Sequence, residues 1–300
     1  MWTNSEADRF DPPFELLLPP RQTAAAIFNS PHSGRIYPPG FLKASRLDPL
    51  TLRRSEDCFV DDLFSPAVRL GCPLLRAHFP RAYLDVNREP YELDPAMFGE
   101  TLPDFANTAS VRVAGGLGTI PRIVSEHEEI YKRPLAFTEA QARIDALYWP
   151  YHAALQKLVE DTARRFGAVL LVDCHSMPST AAPLIAGSSL ARADIVLGDR
   201  YGSTCDPTIT ACLEELLLAR GLSVVRNKPY SGGFITQSYG RSHDGFHALQ
   251  IEINRGLYVD ERTIRPSAGY AALKRTLTDV TGALLRVLPD LFAPPAIAAE

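Results

Sequence analysis

The sequence of 300 residues has no apolar run approaching the roughly 20 residues that a membrane-spanning helix needs. Its first residues, Met1 to Asp8, lack the basic and apolar regions of a secretory signal, so the expected location is the cytoplasm. Positive charge is not in excess. Lys and Arg number 31 against 35 Asp and Glu, a formal net charge of -4, which gives no electrostatic footprint for nucleic acid or an anionic membrane. Cysteine is scarce, and Cys58, Cys72, Cys174, Cys205 and Cys212 include no Cys-x-x-Cys pair. That argues against a disulfide frame and a thiolate zinc knot, so any metal is expected on histidine and carboxylate. No internal repeat is apparent. Gly115-Gly116-Leu117-Gly118 lacks the Gly-Lys-Ser/Thr and the immediate helix start of a phosphate loop.

What is present fits a folded α/β protein. The hydrophobic share is 46%, the charged share 22%, and 25 prolines are spread along the chain. We expect one catalytic domain over residues 1–300, with 1–22 as an extended arm and 290–300 as a frayed tail. Ala168 to Val172 is a continuous apolar run, the pattern of a strand buried on both faces, and Asp173 and His175 then sit at its carboxyl end. Ligands and catalytic groups collect at such ends in open α/β sheets, although a hydrogen-bonded pair that merely ends a strand has the same signature. Ala24 to Asn29 repeats the theme, breaking into Ser30-Pro31-His32-Ser33-Gly34.

Phe59, Val60, Leu63 and Phe64 have helical spacing, with Ser55, Glu56 and Asp57 at the start; acidic residues there serve the helix dipole unless a histidine partners them. Tyr83, Leu84 and Val86 read as a short strand ending in Asn87 and Arg88. The rigid fork of an arginine beside an amide suits a substrate carboxylate, and a surface ion pair with Asp85 or Glu89 is the other reading. A helix is expected from Thr138 to Phe166, kinked or interrupted at Pro150, with His152 packing on its apolar stripe. Ser231 to Gly240 reads as a glycine-permitted loop rich in hydroxyls, and Ser267 to Leu288 as a closing helix. His247 to Arg255 alternates apolar and polar residues, which places Glu252 within a strand, where it is costly unless paired.

Two histidines and one carboxylate meet the recipe for a catalytic zinc, with three protein ligands and one open position, and a further glutamate can serve as general base. The segments Ser30-Pro31-His32-Ser33-Gly34, Asp85-x-Asn87-Arg88, Gly118-Thr119-Ile120-Pro121-Arg122, Tyr151-His152, Asp173-x-His175-Ser176, Gly232-Gly233-x-Ile235-Thr236, Tyr239-Gly240 and His247-Ala248-x-Gln250-x-Glu252, in this order, resemble N-formylglutamate amidohydrolases. The resemblance runs from about residue 27 to 258. It implies a three-layer α/β/α fold with a central mixed, mostly parallel sheet, like that of zinc carboxypeptidases and aspartoacylase. It further implies hydrolysis of N-formyl-L-glutamate, or a related N-acyl acidic amino acid, at the end of a histidine-degradation route.

On that resemblance His32 and His175 are zinc ligands of one Zn2+ per chain, Glu252 is the base and Arg88, with Asn87, is the carboxylate anchor. Arg122 is assigned to a second substrate carboxylate or to the oxyanion, and Thr236, Tyr239 and His247 to substrate binding. The carboxypeptidase pattern His-x-x-Glu is absent, since Arg35 stands three residues beyond His32. The middle ligand must then come from elsewhere, and the resemblance implies Asp57, which matches the acidic position preceding the family's early helix, with Glu56 as the alternative. The expected partner is a small-molecule substrate, neither nucleic acid nor membrane. Competing functions are a cell-wall peptide amidase or carboxypeptidase on the same fold, and a zinc-binding sensing module without catalysis.

Overall fold

The structure is a computed structural model, and it describes residues 10–125, 128–185 and 191–293. Seven strands form its main sheet: β1 (Phe14–Leu17), β2 (Ala26–Ser30), β3 (Leu74–Ala77), β4 (Val169–Met177), β5 (Ile195–Gly198), β6 (Val224–Arg226) and β7 (Phe246–Asn254). Their spatial order is β1-β3-β2-β4-β7-β5-β6. The sheet is mixed and mostly parallel, with antiparallel pairing only at β1–β3 and β5–β7. All residues of β2 and β4 are buried, as expected for central parallel strands covered on both faces.

Two apolar clusters occupy the two faces. On one, Phe28, Leu170, Val172, Leu249 and Ile251 pack with Leu63 and Phe64, Leu213 and Leu217, and Leu277 and Leu284 from the helices Val60–Phe64, Pro207–Leu218 and Tyr270–Phe292. On the other, Ile27, Leu171 and Ala248 pack with Tyr151, Leu155 and Val159 of the helix Trp149–Phe166 and with Ile235 of the helix Phe234–Tyr239. The fold is therefore the expected three-layer α/β/α arrangement. Truncating a fully buried side chain such as Leu171 to Ala would cost about 2–5 kcal/mol.

Several local expectations are corrected. The strand that starts at Val169 continues through Asp173 and His175 to Met177, because β7 pairs with it along its whole length. Asp173 and His175 thus lie inside the ladder, where backbone pairing fixes their direction. Tyr83 to Val86 form no strand; their polar neighbours turn inward and the segment is a turn. Phe234–Tyr239 is helical because its hydroxyl-rich residues lie between Gly233 and Gly240 and bury Ile235 and Thr236.

The expected interruption at Pro150 takes a definite form. Ile144–Tyr148 is a π-helical turn, with Trp149 N–H donating to Ile144 O, and Pro150 falls in the first turn of Trp149–Phe166, where its missing donor does no harm. Gly167, at φ 84, ends that helix in the left-handed region and feeds the chain into β4. The arm contributes edge strand β1, although Met1 to Asp8 lie outside the described residues. Of the expected frayed tail, Asp290 to Phe292 continue the closing helix and 294–300 lie outside the described residues. All five cysteines are free. Among the described residues no helix is long and apolar enough to cross a membrane.

Candidate metal centre and cleft

The β2–β4 ladder pairs Asn29 with Asp173, and the β4–β7 ladder pairs His175 with Glu252. His32 follows two residues after the end of β2. Its carbonyl accepts from Asp57 N–H at 3.0 Å, while Ser33 Oγ donates to Asp57 O at 3.0 Å and accepts from Asp61 N–H at 3.1 Å. Phe59, in the left-handed region at φ 62, then turns the chain into the helix Val60–Phe64. That conformation costs a non-glycine residue about 1 kcal/mol or more, and the surrounding bonds hold it.

His32, Asp57 and His175 are brought together, all buried, with one ligand atom from each lying within 4.8 Å of the others. Asp57 Oδ2 is 2.9 Å from His175 Nδ1 and 3.3 Å from His32 Nδ1. The opposite edges of both imidazoles face carboxylates. His32 Nε2–H donates to Asp85 Oδ1 at 2.7 Å and His175 Nε2–H to Asp173 Oδ2 at 2.9 Å. A proton held on Nε2 leaves the Nδ1 lone pair for a metal, the usual arrangement behind histidine ligands. Asp173 is held by Asn29 Nδ2 at 2.8 Å, and Asn29 Oδ1 by Tyr151 O–H at 2.6 Å.

These residues fit a metal ion on their own chemistry. His32 Nδ1 is buried without a hydrogen-bond partner and faces the same carboxylate oxygen as His175 Nδ1. Two nitrogens and one carboxylate oxygen are a donor set that suits a divalent transition metal. Glu56, the alternative ligand, is turned away. Its Oε1 accepts from Tyr37 O–H at 2.9 Å and from Arg53 Nε at 3.0 Å.

Burial opposes ionisation of Asp57, yet the imidazoles of His175 and His32 hold its carboxyl well below the usual range. Asp85 is likewise held well down against burial by Arg88, His32 and Arg81. Burial, reinforced by the charge of Asp57, pushes the Glu252 carboxyl up to about 7, against the pull of His175, Arg81 and Arg255. Gln250 Nε2 donates to Glu252 Oε1 at 2.8 Å, and Gln250 Oε1 accepts from Gly233 N–H at 2.7 Å.

Beside this cluster lies a cleft of about 390 Å³ lined by Glu252, Asp85, Ser176, Tyr230 and four arginines, Arg54, Arg81, Arg88 and Arg255. Arg88 is in the cleft as expected, but much of its fork is occupied: Nε donates to Leu117 O at 2.7 Å and Nη1 to Asn87 O at 2.8 Å. Arg81, which sequence reading did not single out, donates through Nη2 to Asp85 Oδ2 at 2.9 Å. No other hydrogen bond engages its guanidinium among the described residues, so Nε and Nη1 remain for a ligand. Asn87 is buried behind the metal cluster, with Oδ1 accepting from Ile235 N–H at 2.8 Å and Nδ2 3.2 Å from His175 Nε2.

The remaining assignments fall elsewhere. Arg122 does not line the cleft, although Pro121 and Ile123 do; its Nε is 2.6 Å from Asp94 Oδ2 and its Nη1 3.4 Å from Glu129 Oε1. His247 sits at the far end of β7 from Glu252, stacked on Phe292, its Nδ1 accepting from Asp206 N–H at 3.2 Å. Thr236 is fully buried, its hydroxyl 3.4 Å from Gln250 Oε1, which makes it a support of the Gln250–Glu252 pair. Tyr239 O–H is 2.9 Å from Nδ1 of His152, which packs in the core as expected and donates from Nε2 to Val86 O at 2.8 Å. Asp85 and Arg255 were missed as well. The Asp-x-Asn-Arg segment contained Asp85, whereas nothing local to Arg255 signals its contact with Asp57.

Comparison with known proteins supplies the family. Residues 24–259 match the family described as N-formylglutamate amidohydrolase. An N-formylglutamate deformylase of Pseudomonas aeruginosa is 28% identical over 277 residues, 91% of this chain and 94% of that protein. One from Pseudomonas putida is 29% identical over 208 residues, covering 68% of this chain and 71% of its own. The crystal structure of an N-formylglutamate amidohydrolase from Ralstonia eutropha superposes with a TM-score of 0.84 at 39% identity, over 91% of this chain and 98% of that one. With the matched region spanning every residue of the His32–Asp57–His175 cluster and the cleft beside it, the chain belongs to the N-formylglutamate amidohydrolase family.

Proposed function

We propose that this chain hydrolyses N-formyl-L-glutamate, or a closely related N-formyl acidic amino acid, to formate and the free amino acid, with one zinc ion held by His32 Nδ1, His175 Nδ1 and Asp57 Oδ2. The observation that carries this reading is a buried His/Asp/His donor set beside a cleft that holds a carboxyl poised near neutrality and four guanidinium groups. Arginines outnumber acids there, so the cleft favours an anion, and a dicarboxylate answers to more than one fork.

Zinc, when bound, supplies Lewis acidity toward the scissile carbonyl and lowers the pKa of water. Glu252 takes a proton from the attacking water and delivers it to the departing amine nitrogen, so that the water's oxygen ends on formate and its protons are shared between products. A base with a pKa close to working pH is suited to both transfers. Arg81, with its free donors, anchors one substrate carboxylate. Arg88 contributes positive charge and a partly available fork. Asp85 joins the two functions, since it orients His32 through Oδ1 and steadies Arg81 through Oδ2. On this reading the reaction closes a histidine-degradation route in the cytoplasm.

The test is formate release by zinc-loaded protein across a panel of N-formyl amino acids. The expected result is turnover of N-formylglutamate well above N-formylleucine and N-formyllysine. Equal turnover of all three would defeat the acidic-substrate assignment, and absence of formate release from any would defeat the reaction.

A further inference from the structure

The two oxygens of Asp57 face different partners. Oδ2 points into the candidate metal cluster, 2.9 Å from His175 Nδ1 and 3.3 Å from His32 Nδ1. Oδ1 points away from it, 3.0 Å from Arg255 Nη2 and 3.5 Å from Ser176 Oγ. Arg255 is itself held along its edges. Nε donates to Ser176 Oγ at 3.0 Å, Nη1 to Arg54 O at 2.8 Å, and Nη2 also approaches Ser176 O at 3.4 Å. The turn that carries it is fixed by Asn254, whose Oδ1 accepts from Gly256 N–H at 3.0 Å and whose Nδ2 donates to Ala193 O at 3.1 Å. Arg255 is 6% exposed and Asp57 1%, so water offers neither charge a substitute partner.

A carboxylate can hold a cation through one oxygen or through both. For Oδ1 of Asp57 to turn toward a metal, Arg255 would have to surrender its anion inside the protein, and a buried charge left unpaired is strongly disfavoured. We propose that Arg255 is a positioning residue of the metal centre, holding Oδ1 so that Asp57 ligates through Oδ2 alone. The proposal rests on the metal-binding part of the functional reading and is independent of the substrate. Its consequence is an open coordination position: two histidine nitrogens and one oxygen are three protein donors, the number a catalytic zinc site uses, whereas a two-oxygen Asp57 would fill the place needed for water or substrate. Arg255 stands three residues beyond Glu252, so the end of β7 supplies the base and the first residue after it the group that keeps the metal accessible.

Cobalt(II) in place of zinc tests this, because its visible absorption weakens as coordination number rises. Wild type and Arg255→Met are loaded with cobalt and compared. The expected result is an absorption severalfold weaker per bound metal in R255M, with cobalt retained, as Oδ1 becomes free to bind. Equal intensity in the two proteins overturns the proposal, and so does a folded R255M that holds no cobalt. If R255M does not fold, X-ray absorption or a crystal structure of the metal-loaded wild type decides: one Asp57 oxygen at bonding distance supports the proposal and two overturn it. These readouts report coordination, so a failure of formate release would leave them standing and count only against the proposed reaction.

Discussion

His175 and Glu252 are direct partners in the parallel ladder of β4 and β7. The ladder holds a metal-ligand candidate and a base candidate at one level of the sheet, on strands buried along nearly their whole length. Placement on regular strands fixes both Cα positions without reliance on a loop, which favours the preorganisation that proton transfer needs.

Glu252→Gln should leave the fold and metal content intact while lowering formate release by about 10²–10⁴-fold, the range for loss of a positioned acid or base. The amide is nearly isosteric and can keep the bond from Gln250 Nε2. The check is kcat beside elemental analysis of the same sample. Substantial activity in a zinc-loaded E252Q would remove Glu252 from its role.

His175→Ala should abolish stoichiometric zinc, because it deletes one of three donors and leaves Asp57 facing His32 alone. Metal content by elemental analysis, with far-UV circular dichroism to confirm folding, makes the test. A folded variant with full zinc occupancy would strike His175 from the donor set.

What was legible had a local signature: His32 after the apolar run at 24–29, His175 on the buried run at 168–172, an acid at 57 before a helical stripe, and Glu252 alternating with Leu249, Ile251 and Ile253. The sheet's parallel character was legible too, because β4 opens on a continuous apolar run, Val169 to Val172. Arg81 and Arg255 were not legible, since their importance depends on which loop folds against which carboxylate. Arg122 and His247 show the reverse. Motif resemblance drew them in, while in the structure Arg122 pairs with Asp94 and His247 stacks on Phe292. The helix Phe234–Tyr239 was hidden by its flanking glycines, which loops and short helices share.

Acid sensitivity should trace in part to His152. Burial depresses its imidazolium, lowering the pKa from 6.5 to about 4 despite the Val86 carbonyl and the charge of Asp173. Between those values the unfolded chain binds a proton that the folded chain refuses, so stability falls as pH drops from 6.5 towards 4, by about 3 kcal/mol at most, and this contribution is flat above 6.5. Urea unfolding of wild type and His152→Gln across that window should show the shallower pH slope in the variant. Parallel slopes would acquit His152.

Gly233→Ala should destabilise the protein by about 1–3 kcal/mol, the usual cost of overpacking. A Cβ there would sit 2.4 Å from Asn87 Nδ2 and 2.5 Å from its Oδ1. Asn87 would be pushed off Ile235 N–H and against His175, so a lower melting temperature should come with slower formate release. A melting curve matching wild type would mean that the loop yields without cost.

The pairing of Asn29 with Asp173 joins segments that lie far apart in the chain. His32 and His175 are therefore strangers until β2 and β4 align, and parallel alignment has to wait for the intervening crossover to be laid down. The donor cluster therefore cannot assemble before β2 and β4 have paired. Zinc added during refolding should accordingly be captured after the secondary structure has formed, and a chain trapped short of the β2–β4 ladder should pass through synthesis without competing for metal at this site.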